Sequence, residues 1–323
     1  MSYWLIWQQQ TLFFKQFILS LLIVSSFILT ACKPDVIKQE QILFAEMVRD
    51  NPAIQQQTLQ VGQHRLFYAQ AGDPALPALV IVHGTPGNWQ QYARYLLNDR
   101  LRSQFQVLSI DRPGWGQSQV NLADNDTTVA NDHIASFSLQ SEIIAGLSQQ
   151  LKLANDNKPV IYMGHSLGAS LLPTLAVEQP QAVDGLLLLA GTQVPDYAKP
   201  RWYNYLGAIP GINYLIGQTM RRSNKEIFAL KDEMLTMQSR WSELQQPTLI
   251  VQGLDDRLVH PENIDVLPGL VNPKNVKIIA LTETGHLFPM TERDAVAAWS
   301  LCLLASINKT SRLSECTTIG LSG

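Results

Sequence analysis

"VIYMGHSLGASLL", residues 160–172, runs from an apolar stretch, through a serine set between two glycines, into a second apolar stretch. A short apolar run ending at glycine suits a strand buried on both faces, and Leu167, Leu171, Leu172 and Leu175 then share one face of a helix. A strand that turns abruptly into a helix forces its corner residue into strained backbone, and Gly164 and Gly168 leave room for neighbouring chain to pass closely. The corner lifts the Ser166 hydroxyl clear of a sheet edge. The pattern Gly-x-Ser-x-Gly alone is weak; the strand before it and the helix after it give it weight.

Outward from this corner, the chain from about Gln56 reads as two strands followed by alternating strand and helix, which predicts a mostly parallel sheet. "QTLQVGQHRLFYAQAG" opens as a hairpin. "PALVIVHG", "FQVLSID", "PVIYMGHS", "VDGLLLLAG", "PTLIVQG" and "VKIIALTE" are apolar runs suited to strands covered on both faces. Leu139, Ile143, Ile144, Leu147 and Leu151 share a helical face, and Thr291 with Asp294 forms a candidate capping box before the final helix, "AVAAWSLCLL". About 55 residues separate Gly191 from Thr248, too many for an ordinary crossover. Residues 195–243 therefore read as an inserted helical cap, between core segments 56–194 and 244–310. Its Trp202, Tyr203 and Tyr205, with Trp241, suit an apolar acyl or alkyl pocket, although such residues also serve simply to pack a cap.

A serine hydroxyl is a poor nucleophile near neutral pH and needs a base to take its proton. His286, in "LTETGHLFP", follows the last predicted strand and so shares an edge with Ser166. His83 opens a glycine loop and His165 lies inside the corner; His64, His133 and His260 have less context. The base needs a carboxylate to fix its tautomer. Asp255 and Asp256 follow one strand and Asp196 an earlier one. An oxyanion needs donors, and the backbone amides of Thr85 and Leu167 are the candidates; Pro86 has no amide hydrogen.

"HGTPG" at 83–87, "DRPGWGQS" at 111–118, "GHSLG" at 164–168, "GLDDRLVHP" at 253–261 and Gly285–His286 resemble the alpha/beta-hydrolase superfamily, in order and over roughly residues 58–306. The resemblance implies the α/β-hydrolase fold: a mostly parallel eight-stranded sheet flanked by helices, with the helical cap over a pocket. The spacing of Gly253, Asp256 and Val259 matches families that place a triad acid here, so the implied triad is Ser166, His286 and Asp256. Asp111 takes a loop-shaping role. Dehalogenase relatives carry aspartate at the corner, and Ser166 rules against that reaction. The implied reaction is hydrolysis of an apolar carboxylic ester, lactone or thioester, requiring neither metal nor organic cofactor. Carbon–carbon hydrolases, amidases or iminopeptidases and cofactor-free haloperoxidases resemble the same scaffold, and an inactive lipid- or protein-binding lipoprotein is the reading from another class. The stretch from Val120 to Ser136 departs from the compact family pattern.

The chain has 323 residues, a net charge of −3 and 46% apolar residues, enough for one large core. No basic cluster stands out, so nothing favours nucleic acid or an anionic membrane face as the main partner. Residues 1–31 differ from the rest. "FILSLLIVSSFILTA", from Phe17 to Ala31, has the length of a signal peptide's apolar region. It ends in Leu29, Thr30, Ala31 and Cys32, which resembles the bacterial lipobox. That resemblance implies cleavage before Cys32, lipidation of that cysteine, a tether over 32–55 and a lipid-anchored place in the cell envelope. Lys33 resembles the sorting position of outer-membrane lipoproteins. Cys302 and Cys316 then remain, and an oxidising compartment permits a bridge stapling the tail, residues 311–323, to the final helix.

Overall fold

A computed structural model describes Val48 and residues 51–121 and 135–317. The expected signal peptide, Cys32, His133, most of the departing stretch after Val120 and the end of the tail lie outside the described residues. Eight strands form one sheet: β1 (Gln55–Val61), β2 (His64–Ala71), β3 (Ala78–Val82), β4 (Gln106–Ile110), β5 (Val160–His165), β6 (Gly185–Leu189), β7 (Thr248–Gly253) and β8 (Val276–Leu281). Their order is β1-β2-β4-β3-β5-β6-β7-β8, with β2 antiparallel to both β1 and β4 and every other pair parallel. This is the mostly parallel α/β sheet that the alternation predicts.

The apolar runs explain the centre. Strands β3, β4, β5 and β6 are buried along their whole length, and each branched side chain so covered contributes about 1.5–3 kcal/mol. The polar strand β1, QQQTLQV, takes the exposed edge. Numbering helices longer than one turn, α1 (Phe137–Ala154) turns Ile143, Ile144, Leu147 and Leu151 inward, and Ser136 caps it by accepting from the Leu139 amide at 3.3 Å. Helix α2 (Leu167–Glu178) follows β5 without a break. Between β6 and β7 the chain forms α3 (Trp202–Ala208), α4 (Pro210–Leu215) and α5 (Gly217–Gln238).

The final helix, α6 (Arg293–Ile307), starts differently from expectation. Thr291 belongs to a separate turn, Phe288–Thr291, and its hydroxyl donates back to the Phe288 carbonyl, so Glu292 becomes the N-cap and makes no side-chain capping bond. A local contact captured the threonine that the capping box required. Cys302 on α6 is joined to Cys316 by a disulfide, and Trp299 donates its indole proton to the Thr317 carbonyl at 2.8 Å beside it.

Glu233 on α5 carries a testable cost. Burial pushes its carboxyl up to about 6 against the Phe137 amide's opposing pull. The folded state therefore holds a proton that the unfolded chain releases near 4.5, and stability falls as pH rises through that window. Glu233→Gln is expected to be about 1 kcal/mol more stable than the parent at about pH 8, discounting for the side chain's part exposure, and no more stable at about pH 4. Urea unfolding at the two pH values measures the difference.

Candidate active site

The carboxyl ends of β3 and β5 lie together because Val82 pairs with Gly164. The chain beyond β3 is thereby delivered beside the corner after β5, at the point where the strand order reverses. Ser166 occupies that corner with φ 55° and ψ −124°, a left-handed conformation for a residue with a side chain, and is the N-cap of α2. The glycines are steric necessities. A methyl group on Gly168 would meet the Val82 carbonyl at 2.4 Å, and one on Gly84 would meet the Ser166 β-carbon at 2.9 Å. Gly84 and Ser166 are thus in van der Waals contact, and Thr85 is the next residue along.

His286 lies on the loop after β8 and Asp256 on the loop after β7. The His286 Nδ1 proton is donated to Asp256 Oδ2 at 2.8 Å. The carboxylate is fully buried and accepts three more bonds: from Gln252 Nε2 at 3.1 Å on Oδ2, and from the amides of Leu258 and Val259 at 2.8 Å each on Oδ1. Burial pulls this carboxyl up, but the hydrogen bond and charge of His286, with the two amides, outweigh it and hold the group below its ordinary value. Asp256 is therefore ionised beside the ring, and Nε2 is the nitrogen left to exchange a proton. Asp255 and Asp196, the other candidate acids, are exposed.

A second histidine ties base to corner. His165 Nε2 donates to the His286 carbonyl at 2.9 Å, and His165 Nδ1 accepts from the Tyr92 hydroxyl at 2.7 Å. A carbonyl only accepts, so Nε2 carries a proton. Burial, then the nearby His286, pushes the ring's pKa down to about 3. The residue preceding Ser166 thus holds the backbone of His286.

The glycine loop is fixed from beneath. His83 Nδ1 donates to the Gly84 carbonyl at 2.7 Å, and its Nε2 accepts the Arg112 amide at 3.0 Å. Burial and then the Arg112 charge hold this ring neutral. The fully buried Arg112 guanidinium donates to the carbonyls of His83 at 2.9 Å and Gly84 at 3.0 Å. It also forms a two-pronged ion pair with Glu226 of α5, at 2.7 and 3.0 Å, and Trp115 Nε1 donates to the same carboxylate at 3.0 Å. Because a peptide unit is planar, fixing the Gly84 carbonyl fixes the Thr85 N–H in the opposite direction. Leu167, the first residue of α2, presents its amide at a helix N-terminus, where the helix dipole favours negative charge. Asp111 shapes the adjoining loop, its carboxylate accepting from the amides of Trp89 and Gln117 at 2.8 Å each.

Removing one partner of a buried pair strands the other charge. Glu226→Ala is expected to lower unfolding free energy by about 3–5 kcal/mol, read from denaturant melts, whereas an exposed pair gives under about 1 kcal/mol.

The profile of the Alpha/beta hydrolase family matches residues 79–299. The chain belongs to this family. It is 20% identical over 259 residues to the uncharacterized hydrolase YugF of Bacillus subtilis, covering 69% of this chain and 88% of that one. It is 25% identical to the sn-1-specific diacylglycerol lipase ABHD11 of Xenopus laevis over 53% of this chain and 48% of that protein. The fold is that of a membrane phospholipase A described as a bacterial virulence factor, with TM-score 0.56, 18% identity and coverage of 91% and 99%. It is also that of the 2-hydroxy-6-oxo-6-phenylhexa-2,4-dienoate hydrolase of Rhodococcus sp. strain RHA1, with TM-score 0.57, 19% identity and coverage of 79% and 99%.

Of the residues singled out in the sequence, the structure brings His286 to Asp256, and the glycine loop to Ser166. It turns Trp202, Tyr203 and Tyr205 outward, leaving Trp241 buried; of these four, only Trp241 packs the interior. Gln252, Tyr92 and the Arg112–Glu226 pair escape the sequence reading. Arg112 stands within the quoted "DRPGWGQS", but nothing local marks its partner 114 positions away.

Proposed function

We propose that the chain is a serine hydrolase that cleaves a carboxylic ester, with thioesters and lactones in reach of the same chemistry. Ser166 Oγ attacks the carbonyl carbon as its proton passes to His286 Nε2. The oxyanion is received by the amides of Thr85 and Leu167, each donor contributing roughly 3–4 kcal/mol. His286 then gives the proton to the departing alkoxide, which leaves as the alcohol. A water deprotonated by the same nitrogen attacks the acyl-enzyme, and the acid departs as Ser166 regains its proton.

The observation that carries this reading is the bond from His165, next to Ser166, to the backbone of His286, whose ring is already oriented by Asp256. The relatives named as diacylglycerol lipase and phospholipase support a lipid acyl ester as the substrate class. A fluorophosphonate probe is expected to label Ser166, and p-nitrophenyl esters of graded acyl length to be hydrolysed faster than lactone or amide panels. Absence of labelling in a folded sample would favour the non-catalytic binding reading; faster amide turnover would move the reaction class. We further propose a lipid anchor on Cys32 and residence in the bacterial envelope, on the lipobox-like Leu29–Cys32 stretch. Incorporation of labelled palmitate that Cys32→Ser abolishes is the expected outcome.

A further inference from the structure

From Tyr197 to Asn224 the sequence carries four cations, Lys199, Arg201, Arg221 and Arg222, and no acid, although the chain's net charge is −3. Whole-chain counting hides this segment. Arg201, Arg221 and Arg222 donate to backbone carbonyls, those of Leu258, Asn213 and Gly114 among them, and pair with no carboxylate among the described residues. Glu226, the next acid, is committed to Arg112.

The same segment is apolar on its outside. Of fifteen large hydrophobic side chains exposed among the described residues, eight fall between Trp202 and Met220, with Trp202 75%, Tyr214 82% and Leu215 80% exposed. Helix α3 is built inside out: its buried Asn204 pairs with Asn224 of α5 at 2.7 Å, and its Trp202 and Tyr205 face away. Helix α4 buries none of its residues. A cleft of about 440 Å³ beside these helices is lined by Arg221, Asn213 and Phe228 among others. The surface also reaches the site: Arg201, which precedes Trp202, is bonded to Leu258, and exposed Leu258 and Leu287 stand near Asp256 and His286 in the chain.

Aromatic rings with aliphatic side chains, and arginines that no described carboxylate pairs, match the interfacial zone of a bilayer with anionic headgroups. We propose that this face of the cap docks on an anionic lipid surface. A second copy of the chain is a poor occupant, because a two-fold pairing of the patch sets its cations against themselves. The docking stands apart from the hydrolytic reading and is tested in a chain unable to perform it.

The test uses the full chain carrying Cys32→Ser and Ser166→Ala. Tyr214→Cys then supplies the one free thiol beside the Cys302–Cys316 bridge for an environment-sensitive fluorophore. Leu153→Cys, on α1 and 87% exposed, is the control position. With phosphatidylglycerol vesicles, emission from position 214 is expected to shift to the blue and that from position 153 to stay. The response should weaken about tenfold with phosphatidylcholine vesicles or at about 0.5 M salt. Adding Trp202→Ser and Leu215→Ser, with circular dichroism unchanged, should weaken it at least about tenfold again. Equal shifts at both positions, or none, overturn the proposal. So does a shift that needs no lipid and rises with protein concentration alongside a sedimenting dimer, which assigns the patch to a second copy.

Discussion

Ser166→Ala is expected to lower kcat for ester hydrolysis by about a million-fold while leaving the fold in place, the scale seen when a triad nucleophile is removed. The loss is this large because no other group at the corner can form the acyl bond. The two neighbouring side chains are unsuited: His165 is neutral and committed at both nitrogens, and Leu167 is apolar. Stability should change little, since Ser166 makes no side-chain capping bond to α2 and alanine bears the positive φ at a similar cost. Burst-phase and steady-state kinetics on a p-nitrophenyl ester, with fluorophosphonate labelling alongside, measure the effect. Activity within tenfold of the parent would place the nucleophile elsewhere, and lost activity with a collapsed melting transition would make the corner structural.

Much of this corner is legible in the sequence because it is written locally. Strand, glycine, serine, glycine and helix occupy thirteen consecutive residues, and each has a steric reason visible within them. The buried strands are equally plain, since a strand covered on both faces must be apolar throughout. What escapes is set by contacts distant in sequence. Arg112 meets Glu226 only once the cap is folded over the β4 loop. Tyr92 meets His165 only when the turn after β3 packs against the corner. The cap aromatics mislead for a different reason: an amphipathic pattern has two faces, and periodicity alone does not say which faces inward. Asn204 and Asn224, by pairing with each other, satisfy a buried polar seam and send Trp202 and Tyr205 outward. The capping box at Thr291 fails because the Phe288–Thr291 turn takes that residue into its own helical backbone and leaves Glu292 to open the final helix.

The choice among Asp255, Asp256 and Asp196 is the finest point that the sequence leaves open, and the hydrogen bonds around Asp256 make a sharp expectation of it. An asparagine at 256 has one accepting oxygen where the carboxylate has two. Oδ1 of Asp256 faces two backbone donors, the amides of Leu258 and Val259, which cannot reorient. In Asp256→Asn the side-chain amide oxygen must take that side, because turning the NH2 toward those backbone amides buries donors against donors at about 1–3 kcal/mol each. The NH2 group is then aimed at His286 Nδ1, which must accept rather than donate, and the ring proton moves to Nε2. In that tautomer His286 cannot take the proton of Ser166. Asp256→Asn is expected to lower kcat about ten-thousand-fold with KM little changed, while Asp255→Asn, an exposed change, alters kcat by less than about threefold. The variant should also lose a pH dependence. A carboxyl held below its ordinary value stabilises the fold above pH 3.8, and that share is lost as pH falls through its folded value. Acid unfolding of the asparagine variant therefore lacks that share of the parent's decline. A kcat loss under tenfold for Asp256→Asn, or a larger loss for Asp255→Asn, would move the acid to the neighbouring position and with it the orientation assigned to the base.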